Sequence, residues 1–180
     1  LNIYPDEVKI FLKDFSKKYS FKNIADKINH LQNLKILLLG DGIIDEYHYC
    51  EPVGRSSKAP IVVNKYLSHE VFAGGAFAIA NHIAGLCNNV QLVSLLGTNK
   101  SREDFIRANI RPNIKTRFFY REDGPTIVKR RYINQYLNQK LFEVNYLNDN
   151  YINGGLETDV LDYLKSEKIK QAQLKIESLN

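Results

Sequence analysis

The feature that most constrains the fold is the short apolar run in Lys35–Leu39, which ends abruptly at Gly40-Asp41-Gly42. A continuous apolar strand of this length is typical of a parallel sheet that is buried on both faces. Strand-like stretches then alternate with helix-like ones, which favours a parallel α/β layer. The sequence therefore predicts an α/β fold in which helices flank a parallel sheet.

Helical periodicity predicts the elements around this strand. Apolar residues recur on one face of a first helix that begins near Pro5, and Ser20 is placed to cap a second helix. Residues 74–86 and the stretch from a Ser101 cap through Ile106 are predicted helices, with a strand at 90–96 between them. A last helix is predicted from Thr158 onward.

The other strand-like stretches look inserted into this layer. Residues 60–72 have strand-type composition interrupted at 67–70, which predicts a hairpin there. Residues 115–121 and 126–136 alternate like strands, with a turn predicted at 122–125, and residues 141–147 predict a third strand. Together they predict a β flap added to the α/β core.

The net charge of +5 is unevenly placed, because basic residues cluster between Lys100 and Lys140. This favours an anionic partner, either a phosphorylated small molecule, a nucleic acid or an acidic protein surface; a solvated basic face without a ligand is the alternative. No nucleic-acid-binding motif supports the second of these partners. We therefore expect no nucleic-acid ligand.

No apolar run approaches the roughly 20 residues of a membrane helix, so no membrane association is expected. Cys50 and Cys87 are too few for a disulfide framework and are predicted to be packing residues of a reduced, cytoplasmic protein. The four histidines have no ligand-like spacing, so no metal site is predicted.

Two short segments carry the candidate binding residues. Asp41 and Asp45 follow the first strand, where ligands bind in open α/β sheets, and their carboxylates could accept hydrogen bonds from sugar hydroxyls. Gly74 and Gly75 open a helix and would let the backbone approach a ligand closely. Alternatively, the two aspartates shape the turn and the glycines allow tight helix–sheet packing. The spacing of the glycines matches neither a dinucleotide fingerprint nor a Walker loop.

A third candidate lies in the basic region. Strand alternation puts Lys129 and Arg131 on one face and Arg130 on the other. Two cations on one face could hold a phosphate group. The alternative is a charged, exposed strand that resists edge-to-edge aggregation.

These segments occur in the order of a known family. The runs KILLLGDGIIDEYHYC, GRSSKAPIVV, FAGGAFAIANHIAGLC, VQLVSLLGT and PTIVKRRYINQYLNQKLFEVN resemble the ribokinase/PfkB carbohydrate kinases, in particular the heptose-phosphate kinase half of bifunctional ADP-heptose synthesis enzymes. The resemblance runs from about residue 34 to residue 149. It implies a partial ribokinase-like sheet with an inserted β lid that closes over a sugar or sugar-phosphate substrate and mediates homodimerisation.

The resemblance also implies residue roles. Asp45 matches the aspartate that binds substrate hydroxyls, and Asp41 matches the Gly-Asp that precedes it. Gly74 and Gly75 match the family's di-glycine. The basic pair on a strand near the lid is matched by Lys129 and Arg131.

Two departures limit this likeness. The family's signature asparagine falls on Ala78, so Asn81, almost one helical turn further on, is the candidate replacement. Nothing after Asp149 matches the Gly-Ala-Gly-Asp motif that supplies the catalytic base and an anion hole, and the nucleotide-binding half is not matched either. ATP and magnesium are expected only in the complete enzyme, and this chain alone is expected to be inactive.

The resulting organisation has three parts: residues 1–33 as a helical linker or docking segment, residues 34–170 as the N-terminal substrate-binding half of a kinase domain, and residues 171–180 as a polar tail. By analogy with the bifunctional relatives, an adjoining nucleotidyltransferase domain is expected. The competing hypothesis is a catalytically inactive, kinase-like module for dimerisation or sugar sensing.

Overall fold

The computed structural model describes residues 3–166, which form five helices and seven strands. The helices are α1 (Asp6–Lys18), α2 (Phe21–Leu31), α3 (Ala76–Ile83), α4 (Glu103–Ala108) and α5 (Gly154–Ser166). The strands are β1 (Lys35–Leu39), β2 (Gly42–Arg55), β3 (Val62–Gly75), β4 (Asn89–Asn99), β5 (Ile114–Pro125), β6 (Ile127–Asn134) and β7 (Gln139–Tyr146). Within this range no helix combines the length and the hydropathy needed to cross a membrane. The predicted polar tail lies outside the described residues.

The two helices that precede β1 form as the periodicity predicts. The Ser20 hydroxyl accepts a hydrogen bond from the Asn23 amide at 3.1 Å, and the Asn23 side chain accepts one from the Ser20 amide at 3.0 Å, so α2 begins with a reciprocal cap. Pro5 is the residue before α1 rather than its first residue. Several apolar side chains of α1 are exposed, including Phe11 at 63%.

A parallel three-stranded sheet in the order β1-β4-β5 carries the main core. Helix α3 lies against it and buries Phe77 and Ala80, and β4 contributes Leu92 and Leu96, all at most 1% exposed. The predicted α/β fold class is therefore confirmed. The expectation that β1 is buried on both faces is wrong for the described chain, because β1 is an edge strand and Leu39 is 54% exposed.

The second sheet, here called the lid sheet, has the order β3-β2-β6-β7 and contains the predicted flap segments 60–72, 126–136 and 141–147. The prediction is wrong for residues 115–121, which form β5 of the central sheet, and it did not include β2. Strands β2 and β3 are antiparallel, β2 and β6 are parallel, and β6 and β7 are antiparallel. The register sets Asp45 beside Lys129 and Glu46 beside Arg130. Since neighbouring side chains in register point to the same face, each face of the sheet carries its own acidic and basic side chains.

Three local predictions are wrong, each because tertiary pairing overrides a local turn or cap signal. Residues 67–70 are not a hairpin but part of the continuous strand β3, and the connection to β2 lies at residues 56–61. Residues 122–125 are not a turn, because β5 continues to Pro125, which pairs with Asn99 of β4. The cap of α4 is Arg102 rather than Ser101, and it makes no side-chain capping bond.

The lid sheet is joined to the central sheet by two buried hydrogen bonds. The Gly42 amide at the start of β2 donates to the Ser94 hydroxyl of β4 at 2.9 Å, and the Gly97 amide donates to the Thr126 hydroxyl at 3.0 Å. A Cβ at Gly42 would overlap the ring of Phe77. The origin of β2 is therefore fixed directly on the hydrophobic core.

Replacing Ser94 by Ala removes the hydroxyl that accepts a hydrogen bond from the buried Gly42 amide. We expect Ser94→Ala to lower the free energy of unfolding by about 1–3 kcal/mol, measured by urea denaturation. The matched control is Ser68→Ala on the exposed part of β3, for which we expect a change within about 0.5 kcal/mol. Equal effects of the two substitutions would contradict a role for Ser94 in joining the sheets.

Candidate functional site

The candidate site lies where the chain leaves the central sheet and enters the lid sheet. Gly40 and Asp41 follow the carboxyl end of β1, and β2 and β3 are paired there through Gly42 and Gly75. The Asp41 side chain is exposed, and its carbonyl accepts a hydrogen bond from the Ala76 amide at the start of α3, at 2.9 Å. The predicted position at the end of a parallel strand is therefore correct.

Both glycines of the pair 74–75 are required by space. Gly75 has a φ of +56°, and a Cβ there would lie 2.6 Å from the Asp41 carbonyl oxygen. A Cβ at Gly74 would overlap the carboxylate of Asp45. The groups that pack closely against these glycines are Asp41 and Asp45, and the approach of a ligand to them stays a prediction.

The Asp45 carboxylate is held by an ion pair across β2 and β6. Arg131 Nη1 donates to Asp45 Oδ1, and Arg131 Nε lies 2.8 Å from Glu143 Oε2 on β7. The hydrogen bond to Asp45 raises the pKa of Arg131. Its guanidinium also lies over the Tyr47 ring, 5.2 Å from the centroid, within the range of a cation–π contact. The Arg131 charge is thus committed to two carboxylates and fixes the position of Asp45.

Lys129 differs from Arg131 in this respect. It is next to Asp45 in the β2–β6 register and is half-buried, but it makes no ion pair within residues 3–166. A desolvated ammonium group without a carboxylate partner attracts an anionic ligand group. Of the predicted basic pair, Lys129 is therefore the cation that remains available.

An open cavity of about 330 Å³ lies beside this ion pair, and its walls combine one carboxylate with aromatic rings. The lining residues are Asp45, Tyr47, Tyr49, Phe72, Ala73, Gly74 and Ala78. Phe72 meets the Tyr47 ring edge-on, with centroids 5.8 Å apart, and is 49% exposed. Tyr49 donates a hydrogen bond to Glu70 at 2.7 Å. An apolar wall with a single oriented carboxylate suits a small ligand that has hydroxyl groups.

Asn81 is not part of this cavity. Its side-chain NH₂ donates to the Asn109 carbonyl at 2.8 Å, and its side-chain oxygen accepts from the Arg111 amide at 2.9 Å. Both ends of the amide are therefore used to connect α3 to the segment between α4 and β5. Ala78 lines the cavity at the position where the family has asparagine.

The structure brings together Asp45, Gly74, Lys129 and Arg131, with Asp41 and Gly75 adjoining them through the backbone. Sequence reasoning missed the aromatic wall and Glu143. It also missed a second ion pair on the opposite face of the lid sheet, where Glu46, only 5% exposed, accepts a hydrogen bond from Arg130 Nε at 2.6 Å. The adjacent carboxylates at 45 and 46, beside the adjacent arginines at 130 and 131, are the signal that could have revealed both pairs.

The Glu46 carboxylate is stabilised in its ionised form. Burial raises its pKa, but the hydrogen bonds from Arg130 and His48 outweigh burial, so the pKa of Glu46 lies below its ordinary value. The thiols of Cys50 and Cys87 are buried and unpaired with each other, as predicted for packing residues, and burial raises the pKa of Cys50. Within the described residues, no group of three or more His, Cys, Asp or Glu side chains could hold a metal ion.

Comparison with known proteins gives consistent sequence and fold similarities. No family model matches the sequence. The chain is 31% identical over 115 residues to the bifunctional protein HldE of Haemophilus influenzae, covering 64% of this chain and 24% of that protein. It is 30% identical over 132 residues to HldE of Histophilus somni, covering 73% of this chain and 27% of that protein. The chain thus spans about a quarter of the length of the curated relatives it matches.

Solved structures give the same fold at low sequence identity. Phosphofructokinase-2 from Escherichia coli, in complex with fructose-6-phosphate, has a TM-score of 0.50 and 14% identity over 72% of this chain and 42% of that chain. A "Possible 1-phosphofructokinase" from Thermotoga maritima has a TM-score of 0.51 and 17% identity over 74% of this chain and 40% of that chain. The chain is a homologue of the HldE proteins and has the ribokinase-like fold.

In this ribokinase-like chain the two sheets have distinct parts in the candidate site. The central sheet presents the carboxyl end of β1 with Asp41, and the lid sheet presents Asp45, Lys129 and Arg131. The di-glycine joins them, since it ends the lid strand β3 and directly precedes helix α3. The carboxylate and the cations of the site therefore come from segments about 85 residues apart in sequence that the β2–β6 pairing brings into register.

Replacing Gly74 or Gly75 by alanine should have different effects on the ion pair and on stability. In Gly74→Ala the new Cβ meets a side chain that can rotate, so we expect the Asp45–Arg131 pair to be displaced while the fold is kept. In Gly75→Ala the Cβ meets backbone at a positive φ, so we expect the free energy of unfolding to fall by about 1–3 kcal/mol.

Two measurements check this contrast. Urea denaturation compares the stabilities, and the NMR signals of the Arg131 Nη–H groups report the ion pair with Asp45. A Gly75→Ala variant as stable as the original chain would contradict the strain argument, and an unmoved Arg131 signal in Gly74→Ala would contradict the packing of Asp45 against Gly74.

Proposed function

We propose that this chain is the sugar- or sugar-phosphate-binding part of a PfkB-type carbohydrate kinase. The observation that carries the proposal is the Asp45 carboxylate, which Arg131 fixes at the wall of an open, partly aromatic cavity at the carboxyl end of β1. The homology to HldE and the ribokinase-like fold support it. The complete protein would transfer a phosphoryl group from ATP to a sugar hydroxyl.

Each residue would have a defined part in acceptor binding. Asp45 would accept hydrogen bonds from sugar hydroxyls, because an ionised carboxylate is an acceptor only. Lys129, which has no ion pair in the described chain, would hold a phosphate group of the sugar, and Arg131 would keep Asp45 in place. Phe72 and Tyr47 would cover the apolar face of the sugar ring.

ATP and magnesium belong to the complete enzyme in this proposal. Bound magnesium and ATP would supply the phosphoryl group and neutralise its charge. Magnesium would be held mainly by the ATP phosphates and water with one or two carboxylates, and residues 3–166 hold no group of three or more His, Cys, Asp or Glu side chains that could bind a metal ion by themselves. We therefore derive no phosphoryl-transfer step for this chain, and we expect no catalysis by the chain alone.

A second candidate function is a kinase-like module that does not catalyse and serves dimerisation or sugar sensing. The observation that favours it comes from the face of the lid sheet that carries Glu46 and Arg130. On this face His48 stacks against His69 and Tyr132 stacks against Phe142, which is 51% exposed. A homodimer formed through this face would bury the exposed rings. An adjoining nucleotidyltransferase domain and a cytoplasmic location complete the proposal, by analogy with the bifunctional relatives.

Removing the Asp45 carboxylate tests the acceptor site. We expect Asp45→Ala to weaken binding of heptose 7-phosphate about 10- to 100-fold in calorimetric titration, because hydrogen bonds to a charged group are lost. The control is Asp26→Ala on the exposed surface of α2, which removes the same charge and should leave binding unchanged. Unchanged binding in a folded Asp45→Ala variant would refute the acceptor role.

Lys129 tests whether the substrate already carries a phosphate. We expect Lys129→Gln to weaken binding of a sugar phosphate about tenfold while leaving binding of the corresponding unphosphorylated sugar within a factor of two. The exposed Lys140→Gln of β7 is the matched control. If the substitution affects both sugars equally, Lys129 does not contact a phosphate group.

A further inference from the structure

A second polar cavity lies on the other side of the lid sheet from Asp45. It has a volume of about 310 Å³ and is lined by Asn99, Lys100, Arg102, Pro125, Thr126, Val128, Arg130 and Tyr146. Strand alternation separates it from the acceptor cavity, because Arg130 and Arg131 point to opposite faces of β6. The cavity is located at the carboxyl end of β4, where ligands of parallel sheets bind.

The charges around this cavity are unbalanced in favour of cations. Lys100, Arg102 and Arg130 line it, and the carboxylate beside them is that of the buried Glu46. Three cations and one carboxylate leave a formal charge of +2. Glu103, the nearest acid in sequence, is turned away, since it accepts bonds from Arg107 at 2.7 Å and from Tyr120 at 2.5 Å.

Two of the three cations have spare donor capacity. Arg102 Nη2 is 3.7 Å from Glu46 Oε1, which is beyond hydrogen-bond length, and its side chain is 51% exposed. Lys100 makes no ion pair among residues 3–166 and is exposed. Arg130 is the oriented member: its Nε donates to Glu46, and its Nη1 donates to the Tyr146 hydroxyl at 3.2 Å.

The loop that carries Lys100 and Arg102 is held in an uncommon conformation. Both residues have left-handed backbones, with φ of +54° and +56°, which costs about 1 kcal/mol or more for each side chain of this kind. Thr126, 2% exposed, secures the loop by donating to the Ser101 carbonyl at 2.7 Å while accepting from the Gly97 amide. The buried Thr126 thus fixes a strained loop that places Lys100 and Arg102 beside Arg130. Strained backbone held in this way is typical of a binding site.

We propose that this cavity binds the phosphate group of a small phosphorylated molecule, independently of the acceptor site. A phosphate monoester carries close to two negative charges at neutral pH, which matches the formal charge of the cavity. Arginine side chains bind such oxyanions through paired donors, and Lys100 adds a point charge. The volume exceeds that needed for phosphate alone, so there is room for the group to which the phosphate is attached.

Titration with inorganic phosphate, followed by ¹H–¹⁵N NMR of the 180-residue chain at constant ionic strength, tests the proposal. We expect saturable shifts centred on residues 99–102 and 126–130. The variants are Lys100→Asn and Arg102→Asn, because asparagine tolerates a left-handed backbone better than alanine does. Each should weaken phosphate binding about tenfold, whereas Lys115→Gln, an exposed residue of β5 with the same charge loss, should not.

The source of the phosphate is distinguished by two further titrants, glucose 6-phosphate and AMP. Tighter binding of either one than of inorganic phosphate, lost again in Arg102→Asn, identifies the attached group as a sugar or a nucleoside. We expect Asp45→Ala to leave these shifts unchanged, because Asp45 lies on the opposite face of the lid sheet. The phosphate cavity can therefore be tested even if the acceptor-site proposal fails. The proposal is overturned if no saturable shift occurs, if the shifts centre on Asp45 while residues 99–102 do not shift, or if Lys115→Gln weakens binding as much as Arg102→Asn.

Discussion

The absence of side-chain volume at Gly42, Gly74 and Gly75 is the constraint on which the rest of the structure depends. At this point the lid strands leave the central sheet, and the ring of Phe77, the Asp41 carbonyl and the Asp45 carboxylate occupy the space that three Cβ atoms would need. The hydrophobic core therefore extends directly to the floor of the candidate site. Because a close-packed core does not deform continuously, the lid sheet starts from a rigid base.

The two ion pairs between β2 and β6 fix the positions of their side chains more than they stabilise the fold. The pairs are Asp45–Arg131 and Glu46–Arg130, in which the two carboxylates are neighbours in β2 and the two arginines are neighbours in β6. Strand alternation therefore places one pair on each face of the lid sheet. Desolvating a carboxylate and a guanidinium offsets much of their attraction, and exposed pairs contribute little. What each arginine provides is a fixed direction for a carboxylate, and at Asp45 that direction is into an open cavity. A strand pairing thus sets the geometry of a polar site from residues distant in sequence.

Sequence alone predicts those features that depend on local order. The strand Lys35–Leu39, the capped helix after Ser20 and the di-glycine before α3 each follow from a pattern within a few residues. The hairpin at 67–70 and the turn at 122–125 were wrong because pairing with β2 and β4 decides those segments, and no local signal reports a partner strand. Asn81 shows the same limit for a site residue, since only the fold reveals that Asn109 and Arg111 already use both ends of its amide.

Acceptor binding and phosphoryl transfer are physically separable in such a chain. Binding a sugar requires hydroxyl acceptors, an apolar wall and, for a phosphorylated sugar, a cation. In the proposed site these are Asp45, the rings of Tyr47 and Phe72, and Lys129, which has no ion pair within residues 3–166. Transfer requires in addition that charge developing in the transition state be stabilised more strongly than the ground state. Asp45 is held by Arg131 in a hydrogen-bonded pair, which orients its carboxylate as an acceptor of hydrogen bonds. The geometry of this carboxylate–guanidinium pair suits binding, and transfer would need a positioned base and charge stabilisation in addition to it.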